Sequence, residues 1–337
     1  MDGIKVAAFT GRLDDPASFF RMRQHFPALK NMGLDIREFN HPCYKGCWHQ
    51  GPFKIVPYLP KLIKSRDADV TWITRTLVVG LETIELLLKR PRVMDVDDAI
   101  WLSKPLGSIS IPHLAPRMDV IIAGNDYIAD WFSKYCKNIH IVPTAINTNR
   151  YTKKERESDD DKFVIGWTGT SSNFSNLKLV EETLAKFLAE HKDACFRIIA
   201  DEQWQSELIP PERIEFVKWS REVEVESLKT MSVGIMPLFD TPWTRGKCSY
   251  KMLQYMAVGL PVIVSPVGMN NEVLAKGEIG FAANSSAEWY NALETLYKDK
   301  SQREQLGLSG RNVIEEYFGA DKIAIKLSEI LRQARGH

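Results

Sequence analysis

The chain has 337 residues, of which 44% are hydrophobic and 26% are charged, a balance that is typical of a soluble globular protein. It is too long for one ordinary hydrophobic core, so we expect two domains of about 150 residues each. No stretch approaches the roughly 18 uncharged apolar residues of a membrane span, and the N-terminus lacks an apolar signal segment, so we expect neither a transmembrane protein nor an exported one.

The charge is divided unevenly between the two halves. Residues 1–155 carry 22 Lys and Arg against 16 Asp and Glu, a net +6, whereas the remainder carries 22 against 27, a net −5. A basic first half fits either an anionic partner, such as a membrane surface or a phosphorylated lipid, or ordinary scatter of surface charge. Five cysteines without regular spacing favour a reducing compartment. We therefore expect a cytoplasmic protein, with peripheral contact at the inner membrane face as a further expectation, and no nucleic-acid partner.

The first half alternates strands and helices like a doubly wound α/β domain. We predict strands at residues 5–9, 34–36 and 70–73, and helices over residues 17–32 and 78–89. The loop after the first strand has no G-x-G-x-x-G pattern, so the fingerprint of a dinucleotide-binding protein is absent.

Two histidines and two cysteines, His41, Cys43, Cys47 and His49, lie close together in the sequence. A structural zinc site usually collects its ligands as two separated pairs, each clasping a turn. Four ligands this crowded would have to close around one ion without a supporting helix. We therefore favour a loop with buried cysteines over a metal site.

Three carboxylates, Asp95, Asp97 and Asp98, fall at the end of a strand predicted to begin near Arg92. Open α/β sheets carry their functional residues at the carboxyl ends of the strands. Asp98 has a second interpretation, as the cap of a short helix. A further strand ends near Asn125, and the last strand of the domain covers residues 140–147, before a polar linker over residues 152–162.

The second half begins with a strand that runs into the loop Gly169, Thr170 and Ser171. Small residues allow backbone N–H groups to approach a phosphate, and hydroxyls add further donors. The loop lacks the G-K-[ST] of ATP-binding P-loops, so ATP chemistry is not indicated. The other predicted elements are a helix over 175–190, strands at 195–200, 214–217 and 233–237, and helices over 224–231, 287–298, 301–317 and 321–335.

The stretch from Asp240 to Pro266 contains a predicted helix over residues 248–258, ended by Gly259. Helical spacing gives it an apolar face and a second face that carries Lys247, Lys251, Gln254 and Tyr255. Two ammonium groups near a helix N-terminus oppose the helix dipole unless an anion binds there. A phosphate site and a solvated lysine pair are both compatible with this spacing.

The segment GKCSYKMLQYMAVGLPVIVSPVGMNNEVL resembles the C-terminal half of glycosyltransferase family 4, the retaining enzymes of group 1. The usual family signature has two glutamates eight positions apart, where this chain has Gly246 and Gln254. It is similar instead to a subgroup with the pattern G-K-x-x-x-K-x-L-Q-Y-M-A. The resemblance implies a GT-B fold: two facing Rossmann-like domains with an interdomain cleft, over residues 1–155 (acceptor domain) and 160–320 (donor domain), and a crossover helix over 321–337.

The resemblance also implies roles for individual residues. Asp97 stands where the family often has a histidine near the transferred sugar, and Lys247 and Lys251 would stabilise the leaving diphosphate. Arg21 and Asn125 would lie on the acceptor side. The residues expected to bind the donor are Gly169, Thr170, Ser171, Lys218, Trp219, Arg245, Gln254, Asn270 and Glu272.

The resemblance implies a metal-independent retaining glycosyltransferase of the hexosyltransferase class. It would move a sugar from a nucleotide-diphosphate sugar to a glycan or lipid-linked acceptor, in glycan or cell-surface polysaccharide biosynthesis, with no cofactor besides the donor. Two alternatives remain open: a nucleotide-sugar epimerase of the same fold, and a catalytically silent module that binds nucleotide-sugars or glycans.

Overall fold

The computed structural model describes residues 3–41, 51–78, 81–153 and 162–336. The predicted loop with Cys43, Cys47 and His49, and most of the predicted linker, therefore lie outside the described residues. The chain divides into two compact units. The first comprises Met1–Ala145, Arg245–Cys248 and Ala320–His337, and the second comprises Ile146–Thr244 and Ser249–Gly319.

The first unit contains a parallel sheet with the strand order β2-β1-β3-β4-β5-β6. Its strands are β1 (Ile4–Thr10), β2 (Leu34–Asn40), β3 (Val70–Thr74), β4 (Arg92–Val96), β5 (Val120–Ala123) and β6 (Ile139–Ile141). Its helices in this part of the chain are α1 (Pro16–Arg21), α2 (Phe26–Asn31), α3 (Leu59–Lys64), α4 (Gly107–Leu114) and α5 (Asp126–Phe132). The strands predicted at residues 5–9, 34–36 and 70–73, from Arg92 and before Asn125 are confirmed, since β-branched and apolar runs form each of them. The strand predicted over residues 140–147 covers only Ile139–Ile141, because Pro143 has no backbone N–H to donate to the sheet.

Two helix predictions in this unit are wrong. The predicted helix over residues 17–32 is divided into α1, a 3-10 turn (Arg23–His25) and α2, because Pro27 lies in the first turn of α2 and a continuous helix cannot pass through it. The predicted helix over 78–89 is replaced by a single 3-10 turn, Glu85–Leu87. Here the buried Glu85 carboxylate accepts hydrogen bonds from the backbone N–H groups of Leu77 (2.8 Å) and Thr83 (2.5 Å), which compete with helical bonding.

The second unit contains another parallel sheet, with the order β12-β11-β10-β7-β8-β9. Its strands are β7 (Phe163–Thr168), β8 (Ala194–Ala200), β9 (Ile214–Lys218), β10 (Val233–Met236), β11 (Val262–Val264) and β12 (Gly280–Ala282). The remaining helices are α6 (Glu181–Glu190), α7 (Glu224–Lys229), α8 (Pro242–Arg245), α9 (Tyr250–Ala257), α10 (Met269–Leu274), α11 (Ser286–Lys298), α12 (Lys300–Val313) and α13 (Ala320–Arg335). The helix predicted over 175–190 begins only at Glu181, after a 3-10 segment (Ser171–Leu179).

The hydrophobic core of the first unit includes the C-terminal helix α13. Ile323, Leu327 and Leu331 are buried in the same apolar cluster as Val6 and Trp72. These α13 residues recur at helical spacing, so one face of the helix is apolar and covers the sheet. The end of the chain thereby completes the first unit.

Each unit is a parallel sheet with helical crossovers, so the chain has two Rossmann-like domains. The first of the three segments that form the first unit ends at Ala145, earlier than the predicted boundary at 155. The reason is that the following residues bond within the second unit: the Ile146 N–H donates to Phe318 O (2.8 Å), and the Tyr151 hydroxyl donates to Glu224 (2.7 Å). Among the described residues, no helix combines the length and the apolarity needed to cross a membrane.

Candidate active site

In the first unit, functional side chains collect at the carboxyl edge of the sheet. Thr74 of β3 is paired with Asp95 of β4, so the residues that follow both strands leave the sheet together. Val96 is likewise paired with Ala123 of β5, which brings Asn125 to the same edge. This is the edge at which open parallel sheets bind their ligands.

Four charged side chains form a carboxyl-edge cluster, which we define as Arg75, Asp97, Asp98 and Lys247. Arg75 Nε donates to Asp97 Oδ1 (2.5 Å), and Arg75 Nη2 donates to Asp98 Oδ2 (2.7 Å). Lys247 Nζ lies 3.4 Å from Asp98 Oδ1. All four side chains are half-buried, so the charges are only partly screened by water.

The two aspartates of this cluster have different proton affinities. Burial alone would raise the pKa of Asp97, but the charge and hydrogen bond of Arg75 outweigh it and lower that pKa below its usual range. Burial and the neighbouring charge of Asp97 raise the pKa of Asp98. Asp98 does not cap a helix, because the 3-10 turn Ile100–Leu102 begins after Ala99 and has no side-chain cap. Of the two aspartates, Asp97 is therefore the one whose ionised form is favoured.

The segment Arg245–Cys248 carries Lys247 to this cluster. Asn125 Nδ2 donates to Lys247 O (3.1 Å), and the Cys248 thiol donates to Asp97 O (3.1 Å). Gly246 packs so closely on Ala99 that a Cβ at Gly246 would lie 2.7 Å from the Ala99 nitrogen. Glycine is therefore required here by close backbone approach, and it fixes the position of Lys247.

Two residues predicted on the acceptor side are buried. Asn125 caps α5, since its Oδ1 accepts from Ile128 N (2.9 Å), and its amide group holds Lys247. Arg21 Nε donates to Asp95 Oδ1 (2.7 Å), and the two side chains are 2% and 0% exposed. Burial raises the pKa of Asp95 to about 6. Both side chains are buried, so Arg21 and Asn125 stabilise the carboxyl edge of the sheet and expose no surface to an acceptor.

The helix predicted over residues 248–258 differs in the structure from its prediction. Helix α9 begins at Tyr250, after Ser249 in a left-handed conformation (φ 50°), so Lys247 precedes the helix and does not share a helical face with Lys251. Gln254 and Tyr255, expected on a polar face, are 4% and 0% exposed. The helix is buried on both faces because it packs against the sheet of the second unit: the Tyr255 hydroxyl accepts from Thr168 N (2.8 Å).

In the second unit, Lys251 lies beside the loop that follows β7. Its Nζ is 5.3 Å from the centroid of the Trp167 ring, a cation–π distance. A Cβ at Gly169 would lie 2.5 Å from Lys251 Cε and 2.7 Å from the Trp167 ring. Gly169 therefore makes room for the lysine. The Ser171 N–H is occupied by Asp201 Oδ1 (2.6 Å), whereas Thr170 is exposed.

Gln254 belongs to a buried network around Glu224. Its Nε2 donates to Tyr151 OH (2.8 Å) and to Glu224 Oε1 (2.9 Å). Trp219 Nε1 donates to the same Glu224 oxygen (2.9 Å), although the Trp219 ring is 47% exposed. Gln254 thus orients Glu224, which in turn orients an exposed indole at the end of β9.

The remaining predicted donor residues differ in exposure. Asn270 is fully buried, and it accepts from Ser249 Oγ (2.7 Å) and donates to Ser265 O (2.8 Å), so it fixes the start of α10. Lys218 and Arg245 are exposed, and Glu272 is half-buried. Besides these three, the predicted donor residues that expose part of their surface are Gly169, Thr170, Ser171, Trp219 and Lys251.

One group of side chains in the described parts of the chain has ligand atoms close enough to hold a metal ion: Glu190, His191 and Glu294. His191 Nε2 contacts Glu294, and the histidine ring packs against Phe187 and Tyr297. This group precedes β8, whereas Lys251 and Gly169 lie where β7 ends. It is therefore at the amino edge of the sheet, away from the predicted donor residues.

Sequence reasoning did not find Arg75 or Glu224. A signal was available for Arg75, because it directly follows a buried strand, as Asp97 does. No comparable signal marked Glu224, whose four donors come from separate parts of the second unit: Arg150, Tyr151, Trp219 and Gln254.

Comparison with known proteins gives a consistent result. A family model described as Glycosyl transferases group 1 matches residues 162–299. Spore coat protein SA of Bacillus subtilis is 21% identical over 212 residues, which are 57% of this chain and 55% of that protein, so the chain spans about half the length of this curated relative.

Two solved structures illustrate the likeness in fold. Sucrose-phosphate synthase from Thermosynechococcus elongatus has a TM-score of 0.71 at 14% identity, with 98% of each chain covered. HepE from Anabaena, in complex with UDP and glucose, has a TM-score of 0.73 at 14% identity, with 97% of this chain and 99% of that chain covered. The chain therefore has the two Rossmann-like domains of the GT-B fold.

Proposed function

We propose that this protein is a group 1 glycosyltransferase that moves a sugar from a nucleotide-diphosphate sugar to a glycan or lipid-linked acceptor. The observation that carries the proposal is the match of residues 162–299 to group 1 glycosyl transferases, in a chain with the GT-B fold. A neighbour of the same fold binds UDP and glucose, which supports a nucleotide-sugar donor. We further propose a role in glycan or cell-surface polysaccharide biosynthesis.

The chemistry of the reaction requires that charge on the leaving diphosphate be stabilised. Lys251 is suited to this role, because Gly169 leaves room for its ammonium group beside the loop after β7. Lys247 and Arg245 are further cations proposed for the leaving group. With three cations, the protein meets this requirement from its own side chains, so we propose a metal-independent reaction.

We propose that the reaction retains the configuration of the sugar. In such a mechanism the acceptor attacks from the face that the phosphate leaves, and an oxygen of the leaving group takes the proton. No protein nucleophile is then needed. We assign to Asp97 the role of a hydrogen-bond acceptor that orients a hydroxyl of the sugar or of the acceptor. Arg75 lowers the pKa of Asp97, so the Asp97 carboxylate is ionised and can accept that hydrogen bond.

A donor screen tests the proposal. Thermal shift against UDP-, GDP-, ADP- and CMP-sugars identifies the donor, because a ligand at about 100-fold its dissociation constant stabilises the fold by roughly 2.7 kcal/mol. Release of nucleoside diphosphate from that donor then measures turnover. A module that only binds would show the shift without release. Absence of both a shift and turnover for every donor would contradict the proposal.

Two lysine variants test the diphosphate site. Lys251→Ala and Lys247→Ala should each remove a charge-assisted contact worth about 1.5–3 kcal/mol, so turnover should fall roughly ten- to a hundredfold. Lys186→Ala is the matched control, because Lys186 also lies over an aromatic ring (Tyr290, 4.3 Å) in the second unit, away from the loop after β7. Wild-type turnover in a folded Lys251→Ala variant would remove Lys251 from the site.

A further inference from the structure

Arg75 has an unusual backbone conformation. Its φ is 54°, in the left-handed region that residues with a side chain rarely adopt. Its N–H donates to Asp95 O (2.7 Å), which ties the turn after β3 to β4. Conformations of this kind persist where the surrounding structure enforces them, and they concentrate at functional sites.

This conformation aims the Arg75 guanidinium at two different carboxylates. Nε bonds to Asp97 and Nη2 to Asp98, while the side chain remains 22% exposed. Two other arginine–aspartate pairs of the first unit differ from this arrangement. The Arg21–Asp95 pair is fully buried. Arg90 donates to one carboxylate only, that of Asp119, at the amino edge of the sheet. Only a planar fork can hold two carboxylates in one orientation, so lysine would not substitute.

We propose that Arg75 is the positioning residue of the carboxyl-edge cluster: it fixes Asp97 beside Asp98 and keeps Asp97 ionised, ready to accept a hydrogen bond from a substrate hydroxyl. The inference rests on the proposed function for its catalytic meaning. Its structural content, the control of Asp97 by Arg75, is independent of that function and can be measured without substrate.

The charges around Asp97 determine the effect of losing Arg75. The groups that face Asp97 from the packed elements are Arg75 after β3, Arg21 of α1, Asp95 and Asp98 of its own segment, and Lys247 and Cys248 of the segment Arg245–Cys248. Without Arg75, burial is opposed only by the charge of Arg21 and by a backbone hydrogen bond, so the pKa of Asp97 rises. The carboxylate then becomes protonated at a higher pH than in the wild type, and the acid limb of the pH–rate profile moves in the same direction.

The experiment compares Arg75→Gly, Arg75→Lys and the control Arg90→Ala. Glycine accepts the left-handed backbone, so Arg75→Gly removes the guanidinium without adding strain. We expect this variant to fold but to melt below the wild-type temperature, because two half-buried carboxylates lose their counter-charge. We expect it to lose at least tenfold in kcat, with the acid limb of its pH–rate profile at higher pH. Guanidinium ion, below denaturing concentrations, should restore part of the rate. Arg75→Lys should remain slow, and Arg90→Ala should match the wild type.

A second measurement does not depend on turnover. The carboxyl groups are followed by ¹³C NMR in protein labelled at aspartate, with Asp97→Asn for assignment, in the wild type and in both Arg75 variants. A higher titration midpoint for Asp97 in Arg75→Gly supports the proposal, and an unchanged midpoint in that variant overturns it. A wild-type rate with an unchanged pH profile in Arg75→Gly also overturns it. If the wild type turns over no donor, the proposed function fails, and the NMR titration still decides whether Arg75 controls Asp97. If Arg75→Gly does not fold, Arg75→Asn provides the same titration, because asparagine is uncharged and tolerates the left-handed backbone.

Discussion

At the scale of single residues, the candidate site shows how one arginine gives two adjacent carboxyl groups different pKa values. Asp97 and Asp98 are neighbours in sequence and both are largely buried, yet the pKa of Asp97 is lowered and that of Asp98 is raised. The difference arises because the pKa of Asp97 falls through the charge and hydrogen bond of Arg75, whereas Asp98 experiences the negative charge of Asp97. Such a division of proton affinities is what a site needs when one carboxylate must stay charged.

Asp97→Asn tests the role of this carboxylate. The variant keeps the size and one hydrogen-bond acceptor but loses the charge, so we expect transfer to fall roughly ten- to a hundredfold, the cost of a charge-assisted hydrogen bond of about 1.5–3 kcal/mol. The dissociation constant of the nucleoside diphosphate should stay nearly unchanged. Asp119→Asn, which removes the partner of Arg90 at the other edge of the sheet, is the control.

The measurement is made on one preparation of each variant, for the transfer rate, the nucleotide affinity and the melting temperature. Loss of transfer with retained affinity supports a role on the sugar. Transfer at the wild-type rate in Asp97→Asn would refute that role.

At the scale of elements, helix α9 is a core helix that carries one functional side chain at its start. Met252, Leu253 and Met256 are fully buried, and so is Tyr255. A Cβ at Gly234 of β10 would lie 2.2 Å from the Tyr255 ring, so the strand accommodates the helix only because residue 234 is glycine. The tight docking of α9 on β10 fixes its first turn, which contains Lys251.

Tyr255→Phe tests this packing. The hydroxyl accepts from Thr168 N (2.8 Å) and lies 3.3 Å from Ile235 O, so its removal leaves a buried N–H without its partner. We expect the free energy of unfolding to fall by about 1–3 kcal/mol in urea titration. Tyr290→Phe is the control, since its hydroxyl contacts Glu190 near the surface, and a change within about 0.5 kcal/mol is expected there. Equal stability of the two variants would contradict the buried role of the Tyr255 hydroxyl.

At the scale of the whole molecule, the chain builds two Rossmann-like domains from segments that are not contiguous. The first unit takes its last helix, α13, and the segment Arg245–Cys248 from the second half of the sequence. Lys247 thereby reaches Asp98, which is 149 positions away in sequence. Peripheral membrane contact through the basic first half stays a prediction.

Metal independence is the prediction that belongs to this scale, because it concerns the charge balance of the complete reaction. We expect chelation by EDTA to leave sugar transfer unchanged, since the proposed mechanism takes the positive charge for the diphosphate from lysine and arginine side chains. A rate that rises with Mg²⁺ or Mn²⁺ and falls with EDTA would contradict this. His191→Ala would then decide whether Glu190, His191 and Glu294 hold the ion.

The sequence by itself predicted most strands of both sheets and the edge at which the candidate site lies. Strands follow from short runs of β-branched and apolar residues, and the end of α9 follows from Gly259, whose φ is 82°. These are local signals, because backbone preferences act over a few residues. The carboxyl-end rule for parallel sheets then pointed to the three carboxylates Asp95, Asp97 and Asp98, and the resemblance to glycosyltransferase family 4 singled out Asp97.

The tertiary structure decided which polar side chains are paired inside the protein. Arg21 meets Asp95 across 74 positions, and Gln254 meets Tyr151 across 103, so spacing along the chain carried no signal for either contact. The same holds for Asn125, which supports Lys247 from 122 positions away. A polar side chain is buried only where a partner offsets its desolvation, and that partner is brought close by the fold. For this reason the sequence predicted a candidate site, and only the fold distinguished those of its residues that are exposed from those that are buried against a partner.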